Sequence, residues 1–161
     1  MIIAITGTPC AGKTAVSKEL AELLHIKAIS LNLLAGRENL FSSYDRRRKC
    51  KVVDMEKLKK EIRKISKTEK NLIIESHYSH CLNPDIVIIL RCSTKALIER
   101  MKKRGWPKKK IEENIEAEIM EMAKFEAVQA GLEVYEFDGT DRRPKEIATG
   151  IAKLLREKGC L

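Results

Sequence analysis

Ile2-Ile3-Ala4-Ile5-Thr6-Gly7-Thr8-Pro9-Cys10-Ala11-Gly12-Lys13-Thr14 stands at the head of the sequence, and its reading decides the fold. Ile2 to Thr6 is a short, largely β-branched run of strand character. Gly7 to Thr14 then satisfies G-x-x-x-x-G-K-[ST] in full, and a helical pattern begins at Lys13. Strand, glycine loop and helix in that order are the context the P-loop motif requires. Such a loop turns successive backbone N–H groups inward, and the helix start adds partial positive charge, so the pair cradles a β-phosphate. Lys13 would reach the β- and γ-phosphates, and the Thr14 hydroxyl would ligate Mg²⁺. The competing reading is an ordinary glycine turn before a helix.

Working outward, short apolar runs alternate with longer helical patterns. Strands are expected at Ile2 to Thr6, Ala28 to Leu31, Asn71 to Ser76, Ile86 to Arg91 and Leu132 to Phe137. Helices are expected from Lys13, Asp54, Thr94, Pro107 and Pro144, the fourth ending near Gly131. Continuous apolar strands separated by helices predict an α/β fold, a five-stranded parallel sheet flanked by helices. With 161 residues and no repeat or low-complexity linker, residues 1–161 read as a single domain.

A second acidic element is expected at the carboxyl end of another buried strand. Asn71-Leu72-Ile73-Ile74-Glu75-Ser76-His77 supplies Glu75 to hold Mg²⁺ through water, with His77 two residues on to orient a water or sense charge. A surface ion pair for Glu75 and a hydrogen-bonded structural role for His77 remain open. His25 and His80 read as structural or exposed.

The formal net charge of +9 is unevenly placed. Arg37 to Lys70 holds 13 basic and 6 acidic residues, Arg91 to Lys110 holds 9 and 1, and the remainder nets −6. In the second segment, Arg100 and Arg104 are spaced to share a helix face ahead of Gly105-Trp106-Pro107. They read as a short lid carrying arginines to phosphates, or as a solvated helix end. The first contains Arg37, Tyr44-Asp45 and the run Arg46 to Lys51, which suits an acceptor-binding insert, RNA backbone or a merely solvated loop. Aromatic content of 4% argues against reading bases by stacking. Five scattered cysteines without a Cys-x-x-Cys pair suit a reduced, cytoplasmic setting, and the apolar start is too short for a membrane span or leader.

Gly-Thr-Pro-x-x-Gly-Lys-Thr at Gly7 to Thr14, Ser43-Tyr44-Asp45 followed by Cys50 and Asp54, Glu75-x-His77 and Leu90-Arg91 resemble one family together. Glu99-Arg100 to Arg104-Gly105-Trp106, Asn114-Ile-Glu-x-Glu-Ile and Asp138-Gly-Thr with Pro144-x-Glu-Ile extend the match. The chain resembles the adenylate kinase isoenzyme 6 subfamily, the small archaeal and nuclear branch of nucleoside monophosphate kinases that also serves small ribosomal subunit maturation. The resemblance covers nearly the whole chain.

It implies a P-loop nucleoside monophosphate kinase fold with an acceptor-binding arm at residues 30–53 and a lid at 103–113. It implies ATP binding by Cys10, Gly12, Lys13, Thr14, Ala15 and Arg104, catalysis by Lys13, Arg104 and His77, and Mg²⁺ at Thr14 and Glu75. Arg37, Tyr44 and Asp45 are the acceptor-binding candidates. The partners implied are ATP with AMP or another nucleoside monophosphate, a platform ribosomal protein, and the pre-30S particle with its 16S rRNA, with no membrane. Three positions depart from the family pattern: Cys10 for glycine, Glu75 for aspartate and Ala15 for threonine. Gly36 stands where an acceptor-binding arginine is expected. The expected activity is transfer from Mg-ATP to AMP, with ATPase activity and a role in 16S rRNA maturation. The alternatives are a nucleotide-gated ribosome assembly ATPase with weak kinase activity, and a cytidylate- or shikimate-type kinase.

Overall fold

Ile3 and Ile5 face one side of a sheet and Ala4 the other, all fully buried, so the first strand is covered on both faces. The computed structural model describes residues 1–46 and 50–160; Arg47, Arg48 and Lys49 of the basic run lie outside the described residues. In the first half the elements are β1 (Ile2–Thr6), α1 (Lys13–Leu24), β2 (Lys27–Ser30), α2 (Leu31–Arg37), β3 (Phe41–Asp45), β4 (Cys50–Val53) and α3 (Met55–Thr68). The second half contains β5 (Leu72–Glu75), a 3-10 turn (Ser79–Leu82), β6 (Ile86–Arg91), α4 (Thr94–Lys103), α5 (Lys108–Ile119), α6 (Met122–Gln129), β7 (Glu133–Asp138) and α7 (Pro144–Glu157).

Five strands form the expected parallel sheet in the order β2-β5-β1-β6-β7. On one face Ile3, Ile5, Ile73, Ile88 and Leu90 pack with Val16 and Leu20 of α1 and Ile147, Ile151 and Leu155 of α7. On the other, Ala4, Leu72, Ile74, Val87 and Ile89 meet Leu31 and Leu34 of α2 and Leu58 and Ile62 of α3. The central strands β1, β5 and β6 therefore feed two cores by their period-2 alternation. Caps set several helix starts. Asp54 Oδ1 accepts the Lys57 N–H at 3.1 Å, so α3 begins one residue later than expected, and Ser93 Oγ accepts the Ala96 N–H at 3.3 Å.

Three local structures depart from the sequence reading. Leu31, expected to close a strand, instead opens α2, because burial of Leu31, Leu34 and Ala35 holds seven residues that are too short for a periodic signal. An antiparallel hairpin, β3 with β4, occupies the expected loop, and its side chains are mostly exposed. The single helix expected from Pro107 to Gly131 is two. Glu121 at φ 51° breaks it, and this bend lets Glu118 and Glu121 both reach Arg91. No described helix is long and apolar enough to cross a membrane.

Candidate functional site

The loop Gly7 to Gly12 joins the end of β1 to α1 at the carboxyl edge of the sheet, where parallel α/β folds expose strand ends and helix N-termini together. Gly7 is required: its φ is +128°, and a Cβ there would lie 2.4 Å from the Leu90 carbonyl oxygen. Cys10, where the related pattern has glycine, adopts φ 72°, a left-handed conformation unfavourable for a side chain. Gly12, at φ 104°, caps α1.

Lys13 is 8% exposed, and its Nζ donates to the carbonyls of Gly7 (2.9 Å) and Thr8 (3.0 Å). Burial lowers its pKa to about 8, against the opposing pull of the Glu75 carboxylate, while Arg104 pushes it further down. Glu75 is 4% exposed at the end of β5, paired in register with Ile5 of β1. After it the chain folds tightly against β1: Ser76 N and Ser79 Oγ both donate to the Ile5 carbonyl, at 3.3 and 2.9 Å. This turn presents His77, whose side chain is exposed on its outer side. Desolvation on its protein side, then the charges of Lys13, His80 and Lys110, lower its pKa to about 4, so the ring is neutral at pH 7. Lys110 is itself posted over the Trp106 ring, 3.8 Å from the centroid. Lys13 thus feels the charges of Glu75 and Arg104, and His77 those of Lys13 and Lys110. Thr14, exposed in the first turn of α1, and Glu75 both offer oxygen donors, the set a hard cation such as Mg²⁺ prefers.

The two arginines of α4 part company. Arg104 ends the helix, exposed, whereas Arg100 donates to the backbone carbonyls of Cys10 (3.3 Å), Gly139 (3.2 Å) and Thr140 (2.7 Å). Arg100 therefore fastens the loop to the segment after β7 and is no lid residue in this structure. Of the acceptor candidates, Arg37 pairs with its neighbour Glu38 at 2.8 Å, and Tyr44 is 57% exposed on β3 beside Asp45. Ala15 is exposed in the first turn of α1.

Sequence reasoning passed over Glu118. Buried on α5, it accepts from Thr8 Oγ1 in the loop and from Arg91 Nε (2.7 Å) at the end of β6. Arg91 also reaches Glu121 (2.7 Å) and Glu136 (3.0 Å). The only sequence signal was the second Glu of Asn114-Ile-Glu-x-Glu-Ile, which shows a pattern and no partner.

With this geometry in view, a family described as "AAA domain" matches residues 3–121. A protein of Methanocaldococcus jannaschii named "Putative adenylate kinase" is 41% identical over 98% of this chain and 88% of its own length. One of the same name from Thermococcus kodakarensis is 36% identical over 97% of this chain and 86% of its length. The chain belongs to this kinase family. Among solved structures, shikimate kinase from Acinetobacter baumannii has a TM-score of 0.69 at 13% identity, covering 98% of this chain and 93% of that one. Deoxyadenosine kinase from M. mycoides has a TM-score of 0.61 at 18% identity, covering 97% of this chain and all of that one. At these identities the likeness carries the fold alone, that of the P-loop kinases, enzymes that generally use Mg-ATP.

Proposed function

We propose that this kinase transfers the γ-phosphoryl group of Mg-ATP to a nucleoside monophosphate, with AMP the preferred acceptor and two ADP the products. The observation that carries the reading is the buried Lys13, hydrogen-bonded into the loop carbonyls of Gly7 and Thr8, with the charges of Glu75 and Arg104 acting on it and its own acting on His77. An oxygen of the acceptor phosphate attacks the γ-phosphorus while the bond to the β–γ bridging oxygen breaks, and ADP leaves with that electron pair. The N–H groups of the loop, including those of Cys10, Gly12, Thr14 and Ala15, hold the phosphates. Lys13 exchanges two carbonyls for phosphate oxygens, and Arg104 stabilises the charge that develops on the moving group. Bound through Thr14 and Glu75, Mg²⁺ would neutralise phosphate charge. Residues 103–113, the end of α4 with the following turn and the start of α5, act as the lid. Residues 30–53, α2 with the hairpin, act as the acceptor arm, with Arg37, Tyr44 and Asp45 closing on the acceptor.

The test is a panel of nucleoside monophosphates, shikimate and a no-acceptor control, scored for ADP. AMP is expected to give the fastest turnover and Lys13→Ala to lose it by at least 10²-fold. An unchanged rate in Lys13→Ala, or a preference for shikimate, overturns the reading.

A second reading is favoured by the neutral His77 beside Lys13 and by the basic run from Arg46. His77 orients a water in place of an acceptor, and the resulting ATPase governs a grip on a platform ribosomal protein and 16S rRNA in the pre-30S particle. On that reading His77→Ala lowers hydrolysis without acceptor more than transfer to AMP, and leaves 16S precursor unprocessed in cells. Normal processing would remove it.

A further inference from the structure

The 3-10 turn after β5 holds a group of side chains that the phosphoryl-transfer reading does not use. His80 is 4% exposed, with its Nδ1 3.0 Å from Thr6 Oγ1 and its Nε2 2.8 Å from Glu126 Oε2 on α6. Cys81 follows it in the chain with an exposed side chain, and one donor atom each from His80, Cys81 and Glu126 lie within 4.8 Å of one another.

We infer that His80, Cys81 and Glu126 form a binding site for a divalent transition metal, zinc by chemistry. An imidazole nitrogen, a thiolate sulfur and a carboxylate oxygen are the donor types zinc takes together, whereas Mg²⁺ takes oxygen and keeps its waters. This site is therefore chemically distinct from Thr14 and Glu75. Thr6 supplies the outer contact that ligating histidines use. When its hydroxyl oxygen accepts the Nδ1–H, the ring is fixed and the Nε2 lone pair faces the Glu126 carboxylate. In the other tautomer the Nε2–H donates to Glu126 and the Thr6 hydroxyl donates to Nδ1; zinc at Nε2 takes the place of that N–H proton, and the Cys81 thiol releases its own proton to water as the sulfur binds.

Two ligands about 2.0–2.1 Å from a tetrahedral ion stand roughly 3.4 Å apart. The 2.8 Å pair must therefore open slightly, and Glu126, 49% exposed, can move to allow it. Three protein ligands leave a fourth position to water, as in open zinc sites. Thr6, which holds the His80 ring, directly precedes Gly7, so metal binding braces the strand end from which the phosphate loop springs.

The test uses the full chain, freed of metal with chelator and kept reduced, titrated with Co²⁺ as a spectroscopic probe and then with Zn²⁺. One equivalent of Co²⁺ is expected to give a sulfur-to-cobalt charge-transfer band and tetrahedral visible bands, both abolished by one equivalent of Zn²⁺. Cys81→Ser should lose the charge-transfer band, and Glu126→Gln should weaken Zn²⁺ binding at least tenfold. Both side chains are exposed, so circular dichroism should show both variants folded. Absence of a thiolate band in the wild type overturns the inference. So does a band that persists in Cys81→Ser, which would place the metal on Cys50 or Cys160.

Discussion

Lys13 is charged, buried and tied to two carbonyls of its own loop, an arrangement that serves a ligand better than it serves the fold. Its pKa stands at about 8 against an ordinary 10.5 because burial disfavours the ammonium. The folded form therefore binds fewer protons than the unfolded form between those values. Its burial costs stability below pH 8, on the order of 3 kcal/mol, and the cost fades as pH rises from 8 to 10.5. In the nucleotide-free protein, Lys13→Met is expected to be at least as stable as the wild type at pH 7, although it loses the hydrogen bonds to Gly7 and Thr8, and to lose that advantage by pH 10.5. Urea denaturation at both pH values checks this; a variant destabilised at pH 7 and not at pH 10.5 would refute it. The same substitution should abolish ADP formation, the opposition of stability and function expected where a site stores unfavourable burial.

At the scale of elements, α5 is joined to the phosphate loop by a single buried carboxylate. Glu118 takes Thr8 from the loop and Arg91 from β6, while Arg91 also ties Glu121 at the bend before α6 and Glu136 on β7. Removing Glu118 leaves Arg91 with its outer partners Glu121 and Glu136, strips the buried carboxylate from its Nε and frees a loop hydroxyl. Glu118→Ala is expected to cost about 2–4 kcal/mol, a fall in Tm of roughly 4–16 °C for a chain of this size, and to raise KM for ATP more than it lowers kcat. Glu118→Gln, which keeps an acceptor for Arg91, should recover most of the stability. Calorimetry with ATP saturation curves on both variants tests it: an unshifted KM in Glu118→Ala would show that the tether does not shape the loop.

For the whole molecule, titratable groups set an acid limit. Asp54, held by the N–H of Lys57, has its pKa lowered, as do Glu121 by Arg91, Asp138 by Thr140 and Glu146 by Arg143. Stability from these carboxylates is present above their ordinary values, 3.8 for Asp and 4.5 for Glu, and is lost as pH falls through the lower folded values. His77 acts earlier: lowered from 6.5 to about 4, it makes the fold lose stability as pH falls across that interval. In the magnesium-free protein the urea midpoint should begin to fall below about pH 6.5 and steepen below about pH 4.5. His77→Gln should remove the first phase. A midpoint level from pH 7 to 3 would contradict both.

The parallel sheet and the phosphate loop were legible without coordinates because their signals are local. Ile2 to Thr6, Ile86 to Arg91 and the glycine-lysine loop state their conformation in a few consecutive residues, and burial on both strand faces leaves an unbroken apolar run. What stayed hidden depends on partners remote in sequence. Leu31 to Arg37 is helical because the core beneath it accepts Leu31 and Leu34; the helix after Pro107 breaks at Glu121, and that bend lets Glu118 and Glu121 both meet Arg91, some 30 residues earlier. Arg100 and Arg104 look equivalent at i,i+4, yet one meets the carbonyls of Cys10, Gly139 and Thr140 while the other stays exposed near Lys13. A P-loop at Gly7 to Thr14, on a sheet buried on both faces, is legible in consecutive residues, since backbone turns and strand alternation are short-range. Which acids and cations act on that loop depends on the folded chain, because charge acts through space and residues 13, 75 with 77, 104 and 118 are remote from one another in sequence.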